Sequence, residues 1–147
     1  MSVVVLDTGS LGMIVHPGGE QEVDACQQWF DDLLAQNRRI ILPEIADYEV
    51  RRELVRMRKS TSLAALDDFA FVLEYLPLTT DTMRLAADLW AQSRQQGRPT
   101  ADPKELDGDV ILAAQALLLN LPDVVVATTN VGHIARYVSA KRWQEIF

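Results

Sequence analysis

Three carboxylates of this 147-residue chain, Asp7, Glu49 and Asp109, stand beside segments whose composition predicts that they meet. Asp7 ends the apolar run "VVVL", Asp109 opens the apolar stretch "VILAAQALLL", and Glu49 lies a turn or so into a helix that follows "RRIILP". A further polar group, "TTN" at Thr128, Thr129 and Asn130, ends the run "VVVA". Valine-rich runs of this kind are buried strands of parallel sheets, in which ligands bind beyond the carboxyl ends of the strands. Three carboxylates converging there would repel and raise one another's pKa unless a cation neutralised them. Mg²⁺ or Mn²⁺ is the natural partner. Mg²⁺ prefers oxygen ligands, keeps several waters and is often held by one or two carboxylates plus a substrate phosphate. Such an ion activates water and stabilises charge on a phosphoryl group under attack.

Side chains three, four and seven positions apart share a helix face, which puts Arg52 and Arg56 on the side of Glu49. There they would steer or clamp a phosphate backbone. Ala46, Val50, Leu54 and Met57 form a separate apolar stripe, whereas Arg51, Arg58 and Lys59 read as a solvated face. Each acidic position also has a plainer reading. Asp7 before Thr-Gly-Ser suits a turn or a helix cap. Asp107 reads first as the N-cap of the apolar helix, and otherwise as a group supporting the carboxylates from behind; Asp109 would be favoured in a first turn by the helix dipole alone. His16 and His133 lack metal-ligand spacing and read as bystanders, and Trp29, Trp90 and Trp143 as core or interface residues.

The elements that must deliver these groups alternate along the chain. After the first strand, "EVDACQQWFDDLLAQN" carries Val23, Cys26, Phe30, Leu33 and Leu34 at helical spacing. "RRIILP" is a strand stopped by Pro43, "EIADYEVRRELVRMRK" a helix, and another helix begins near Thr61 or Ser62. "EYLPL" holds a short strand, and "TTDTMRLAADLWAQSRQQG" a helix ended by Gly97. The polar loop "RPTADPKE" leads to the buried helix "LDGDVILAAQALLLN", the strand "PDVVVATTN" and a short last strand in "RWQEIF". Strands alternating with helices predict an α/β layered domain with a mainly parallel sheet, spanning residues 1–147 as one unit. Hydrophobic residues make up 48% and charged residues 24%, the balance of an ordinary globular chain. The N-terminal apolar run has no basic flank and is broken by Asp7, so it suits neither a secretory signal nor a membrane span, and a cytoplasmic location is expected. The single cysteine, Cys26, reads as a packing residue. A net charge of −7 runs against a surface broadly built for phosphates, although a carboxylate cluster that holds cations accounts for part of it.

Four segments, "VVVLDTGSL", "LPEIADYEVRREL", "DGDVILAAQAL" and "VVVATTNVGHI", together resemble the PIN-domain family, in particular VapC-type toxin ribonucleases. They occur in the family's order and cover nearly the whole chain. The resemblance implies a three-layer α/β/α domain and a divalent-metal-dependent endoribonuclease that cleaves RNA phosphodiester bonds, often one half of a toxin–antitoxin pair. It maps Asp7, Glu49 and Asp109 onto the acidic, metal-binding positions of the active site. Asn130 falls where many members carry Asp, and would ligate through its carbonyl oxygen or order a water. Thr128 matches a hydroxyl position that supports the site. A homodimer and an antitoxin partner are also implied, and the apolar helix face with Phe69, Phe71 and Val72 is larger than one core requires. Rival folds fit less well: a haloacid-dehalogenase-like site would need Asp where Gly9 stands, and a dinucleotide-binding domain would need a G-x-G-x-x-G turn. The alternative that stays open is a non-catalytic module that keeps the PIN fold for nucleic-acid or protein contact.

Overall fold

Five short strands form one all-parallel sheet: β1 (Val3–Leu6), β2 (Ile40–Pro43), β3 (Glu74–Leu76), β4 (Val124–Thr128) and β5 (Ala140–Arg142). Their order is β3-β2-β1-β4-β5, which puts the N-terminal strand in the centre. The computed structural model describes the backbone of residues 1–96 and 103–147, and the side chains of 1–96 and 107–147. Helices α1 (Thr8–Val15), α2 (Gln21–Ala35), α3 (Glu44–Arg56), α4 (Ser60–Val72), α5 (Thr80–Gln95), α6 (Pro103–Leu118) and α7 (Val131–Ile134) connect and cover the strands.

Successive strand residues face opposite ways, and the core divides accordingly. Val4, Leu6, Ile40, Leu42, Val125 and Ala127 pack with residues of α1, α2, α3 and α4. Val5, Ile41 and Val126 pack with α6 and α7, and α5 lies on α6 through Ala86, Val110 and Ala114. The result is three layers, α/β/α. All-parallel sheets need cover on both faces, which explains why β1, β2 and β4 are apolar without alternation.

Several expectations are corrected. Residues 8–15, to which the sequence assigned no element, form α1, and α7 was not anticipated at all. The last strand lies at Ala140–Arg142 and takes in only the first residue of "RWQEIF", because Trp143 turns inward in a 3₁₀ turn (Trp143–Glu145) with its ring 5.8 Å from that of Trp29. Helix α6 begins at Pro103, four residues before Asp107, so Asp107 is not its N-cap; proline suits the first helical position because its missing N–H would be unpaired there anyway. The expected loop at 98–105 is therefore helical from residue 103; its earlier part, and the expected stop at Gly97, lie outside the described residues. Met57, placed on the apolar stripe of α3, is 46% exposed because the helix ends at Arg56 and the chain turns away. Phe69 packs edge-on against Phe30, 5.3 Å between centroids, which leaves Phe71 and Val72 as the exposed part of that face. No helix among the described residues is long and apolar enough to cross a membrane.

Candidate active site

The carboxyl ends of β1, β2 and β4 open onto one edge of the sheet, and the chain following each contributes to a cavity of about 230 Å³. Asp7, directly after β1, takes an extended conformation (φ −86°, ψ 175°) and caps α1. Its Oδ1 accepts from the Ser10 amide at 2.8 Å and from Ser10 Oγ at 2.7 Å, while Oδ2 lies 3.4 Å from the Thr129 amide nitrogen. The cap and the cavity-lining position thus belong to the same residue. Ser10 Oγ also lies 3.0 Å from the Ala127 carbonyl of β4, which competes with Asp7 for its single proton.

Glu49 reaches the cavity from α3. Its Oε1 accepts from Thr8 Oγ1 at 2.7 Å, and Arg52 Nη2 stands 3.8 Å from Oε2. Against it lies Gly108 of α6, where an added Cβ would sit 2.7 Å from Glu49 Oε2. Asp109, the next residue, faces His133 of α7, with Nδ1 3.6 Å from Oδ2. Asn130 begins α7; its amide donates to Thr128 Oγ1 at 2.9 Å, and its Nδ2 lies 3.5 Å from His133 Nδ1. Leu112 and Ile134 complete the lining with apolar surface.

Of the residues singled out in the sequence, Asp7, Glu49, Asp109, Thr128 and Asn130 all line this cavity. Asp107 does not. Two residues apart on a helix means about 200° of rotation, so Asp107 faces a separate groove with Met83, Trp90 and Val110. Arg52 lies beside Glu49, with its guanidinium 5.2 Å from the Tyr48 ring centre. Arg56 does not reach the site: two turns along α3 from Glu49, it is bonded to Glu53 through Nε at 2.9 Å and Nη2 at 2.7 Å. Arg51 points away as expected, to Asp47 and Asp67. His16 closes a local turn by accepting from the Gly18 amide at 2.9 Å. Thr8, Gly108 and His133 were not assigned to the site from sequence. The signal for His133 was its three-residue spacing from Asn130, which has meaning only once residues 131–134 are known to be helical.

The donors facing the cavity are oxygens, apart from the His133 ring, and three of the groups are carboxylates. Among the described residues, no three His, Cys, Asp or Glu side chains are drawn together closely enough to form a ready-made metal cage. Asp7, Glu49, Asp109 and Asn130 are the candidate ligands for a cation that needs few protein donors.

A three-layer α/β/α domain whose acidic groups, carried at strand ends and on adjoining helices, line one cleft is the class this fold and site define. The PIN domain family model matches residues 4–137, and the chain belongs to that family. Similar solved structures include VapBC2 from Rickettsia felis bound to a DNA fragment from its promoter, with a TM-score of 0.73 at 18% identity over 96% of this chain and 98% of that one. FitAcB from Neisseria gonorrhoeae matches with a TM-score of 0.71 at 18% identity, over 98% of this chain and 100% of that one. VapBC-1 from nontypeable Haemophilus influenzae matches with 0.70 at 18% identity, over 97% and 99%. At such identities the likeness is one of fold. No curated protein matches the chain in sequence.

Proposed function

We propose that the chain is a divalent-metal-dependent endoribonuclease that hydrolyses RNA phosphodiester bonds and acts in the cytoplasm as the toxin of a toxin–antitoxin pair. The observation that carries this reading is the convergence of Asp7, Glu49 and Asp109 on one cavity from distant parts of the chain. Membership of the PIN domain family supports the nuclease chemistry, and the VapBC structures of the same fold support an antitoxin partner. Phe71 and Val72, 91% and 71% exposed, favour a protein contact of some kind, in keeping with a homodimer or an antitoxin segment.

The residues present fit Mg²⁺ or Mn²⁺. Their donors are mainly hard oxygens, which suits an ion that keeps several of its waters. Asp7, Glu49 and Asp109 would hold it, with Asn130 contributing its amide oxygen. When bound, the ion supplies neutralisation of the carboxylates, activation of water and stabilisation of charge on the phosphate. The chain's own task is orientation. Ser10 fixes one oxygen of Asp7, Thr8 fixes one oxygen of Glu49, and Thr128 fixes the backbone at Asn130. The second oxygens of Asp7 and Glu49 have long contacts, to the Thr129 amide at 3.4 Å and to Arg52 at 3.8 Å. Leu112 and Ile134 exclude water from one side and so strengthen electrostatic interactions within the cavity.

Incubation with a mixed RNA pool, in Mg²⁺ and in chelator, tests the reading. Asn caps a helix as well as Asp does, so Asp7→Asn keeps the fold while removing a charged ligand. Wild type should cleave only with the metal, and Asp7→Asn should lower kcat by about a hundredfold or more, the equivalent of losing several kcal/mol of stabilisation. Undiminished cleavage by Asp7→Asn would overturn the catalytic assignment. RNA binding without cleavage by wild type would favour the non-catalytic module.

A further inference from the structure

Several of the described cations of this acidic chain are engaged by the protein's own carboxylates or polar groups. Arg39 pairs with Glu74, Arg51 with Asp47 and Asp67, Arg52 with Glu49 and Arg56 with Glu53, while Arg38 is buried against Ser2 and Phe147. Arg136, Lys141 and Arg142 form no ion pair with any described carboxylate. Lys141 and Arg142 are exposed, and the buried Nη1 of Arg136 has no hydrogen-bond partner among the described residues. A buried charged donor left without an acceptor is unfavourable.

The position of these cations matters more than their charge. Strand β5 pairs with β4 in the register Thr128↔Arg142, so Arg142 stands at the same carboxyl edge of the sheet as Asp7 and beside a residue that lines the cavity. Helix α7 forms that wall through His133 and Ile134, and the chain leaving it carries Arg136. Side chains alternate along a strand, so Lys141 and Arg142 straddle the outer edge of the sheet. The β4–α7 wall therefore has carboxylates on its inner side and unpaired cations beyond it. On α3, Arg52 and Arg56 are held by glutamates, and the exposed Arg58 and Lys59 lie past the end of the helix at Arg56, more than two turns from Glu49.

We infer that the β5–α7 edge is the track along which the sugar-phosphate backbone of single-stranded RNA is led into the cavity. Arg142 and Lys141 meet phosphates outside the cleft, Arg136 meets one at the rim, and the next phosphate along lies among the carboxylates. The strand is single because the acidic groups line a recess, and a backbone that bends into a recess must be free of a complementary strand. This track rests on the ribonuclease reading for the identity of the polyanion.

The test is fluorescence anisotropy of a short mixed-sequence RNA in Mg²⁺ over a range of salt, with the full chain carrying Asp7→Asn so that the RNA survives. Lys141→Glu with Arg142→Glu is compared with Lys59→Glu plus Arg84→Glu, which changes net charge equally at exposed positions away from the edge. Loss of two phosphate contacts should weaken binding about tenfold or more and flatten the slope of log K against log salt by about 1.4, while the control pair keeps the parent slope. Equal losses in the two double variants, no loss in either, or displacement of the RNA by poly-glutamate as readily as by unlabelled RNA would overturn the track. Binding that ignores the edge charges removes the track alone. A parent chain that neither binds nor, with Asp7 restored, cleaves RNA removes the ribonuclease reading and the track with it.

Discussion

Gly108 stands in the second turn of α6, where alanine would be the better helix former by about 1 kcal/mol. What requires glycine there is the carboxylate of Glu49, whose oxygens would lie 2.7 and 3.1 Å from an added Cβ. Helix propensity and site geometry pull in opposite directions at this residue, so one substitution separates them. Gly108→Ala should melt at the same or a higher temperature than wild type in chelator, yet gain less on addition of Mg²⁺; a ligand at a hundred times its Kd stabilises the native state by about 2.7 kcal/mol. Scanning fluorimetry with and without Mg²⁺ reads both effects, and an undiminished Mg²⁺ response would show that Glu49 does not depend on the space. None of this was legible in "LDGDV", because the reason for the glycine lies on another helix. Asp7 was legible as either a cap or a site residue, and the structure explains why the sequence could not choose: one oxygen caps α1 and the other remains at the strand end. Asp107 and Arg56 were misplaced for a simpler reason. Each shares a helix with a cavity residue, but rotation for the one and distance for the other carry it elsewhere.

At the scale of elements, what the sequence revealed was periodicity. Strands β1, β2 and β4 are β-branched runs buried on both faces, and α2, α3 and α5 have one apolar side, so both kinds stood out. The elements that escaped notice are short or locally weak. Helix α1 has two glycines in eight residues and forms behind the Asp7 cap; α7 is a single turn; β5, "AKR", has no β-branched residue and exists because β4 offers it a partner. Helix α2 carries a measurable consequence of its burial. Cys26 is fully enclosed, and desolvation, followed by the charges of Asp7 and Glu22, pushes its thiol up from 9.0 to about 12. The folded chain therefore keeps a proton that the unfolded chain releases. The resulting stability is complete below pH 9.0 and is lost progressively toward about pH 12. Urea midpoints should fall more steeply through that window for wild type than for Cys26→Ala, and parallel curves would contradict the assignment.

Across the whole molecule, the topology closes early sequence onto late sequence. Arg38 joins Ser2 to Phe147, and β1 lies between β2 and β4, paired residue for residue with Val124–Ala127. The cavity repeats this closure, since Asp7 meets Thr129, and Glu49 and Asn130 line it together. That order has a consequence in time. Chains leave the ribosome N-terminus first, at about 5–20 residues per second, so β1 waits several seconds for the strand that completes its surroundings. On the proposed ribonuclease reading, the cavity is incomplete until synthesis is almost over, so the growing chain cannot cut RNA before then. Ribosome-bound chains stalled before β4 has emerged should leave a labelled RNA intact in Mg²⁺, while the released full-length chain cuts it. Cleavage by the stalled chains would mean that the first three strands and their helices suffice.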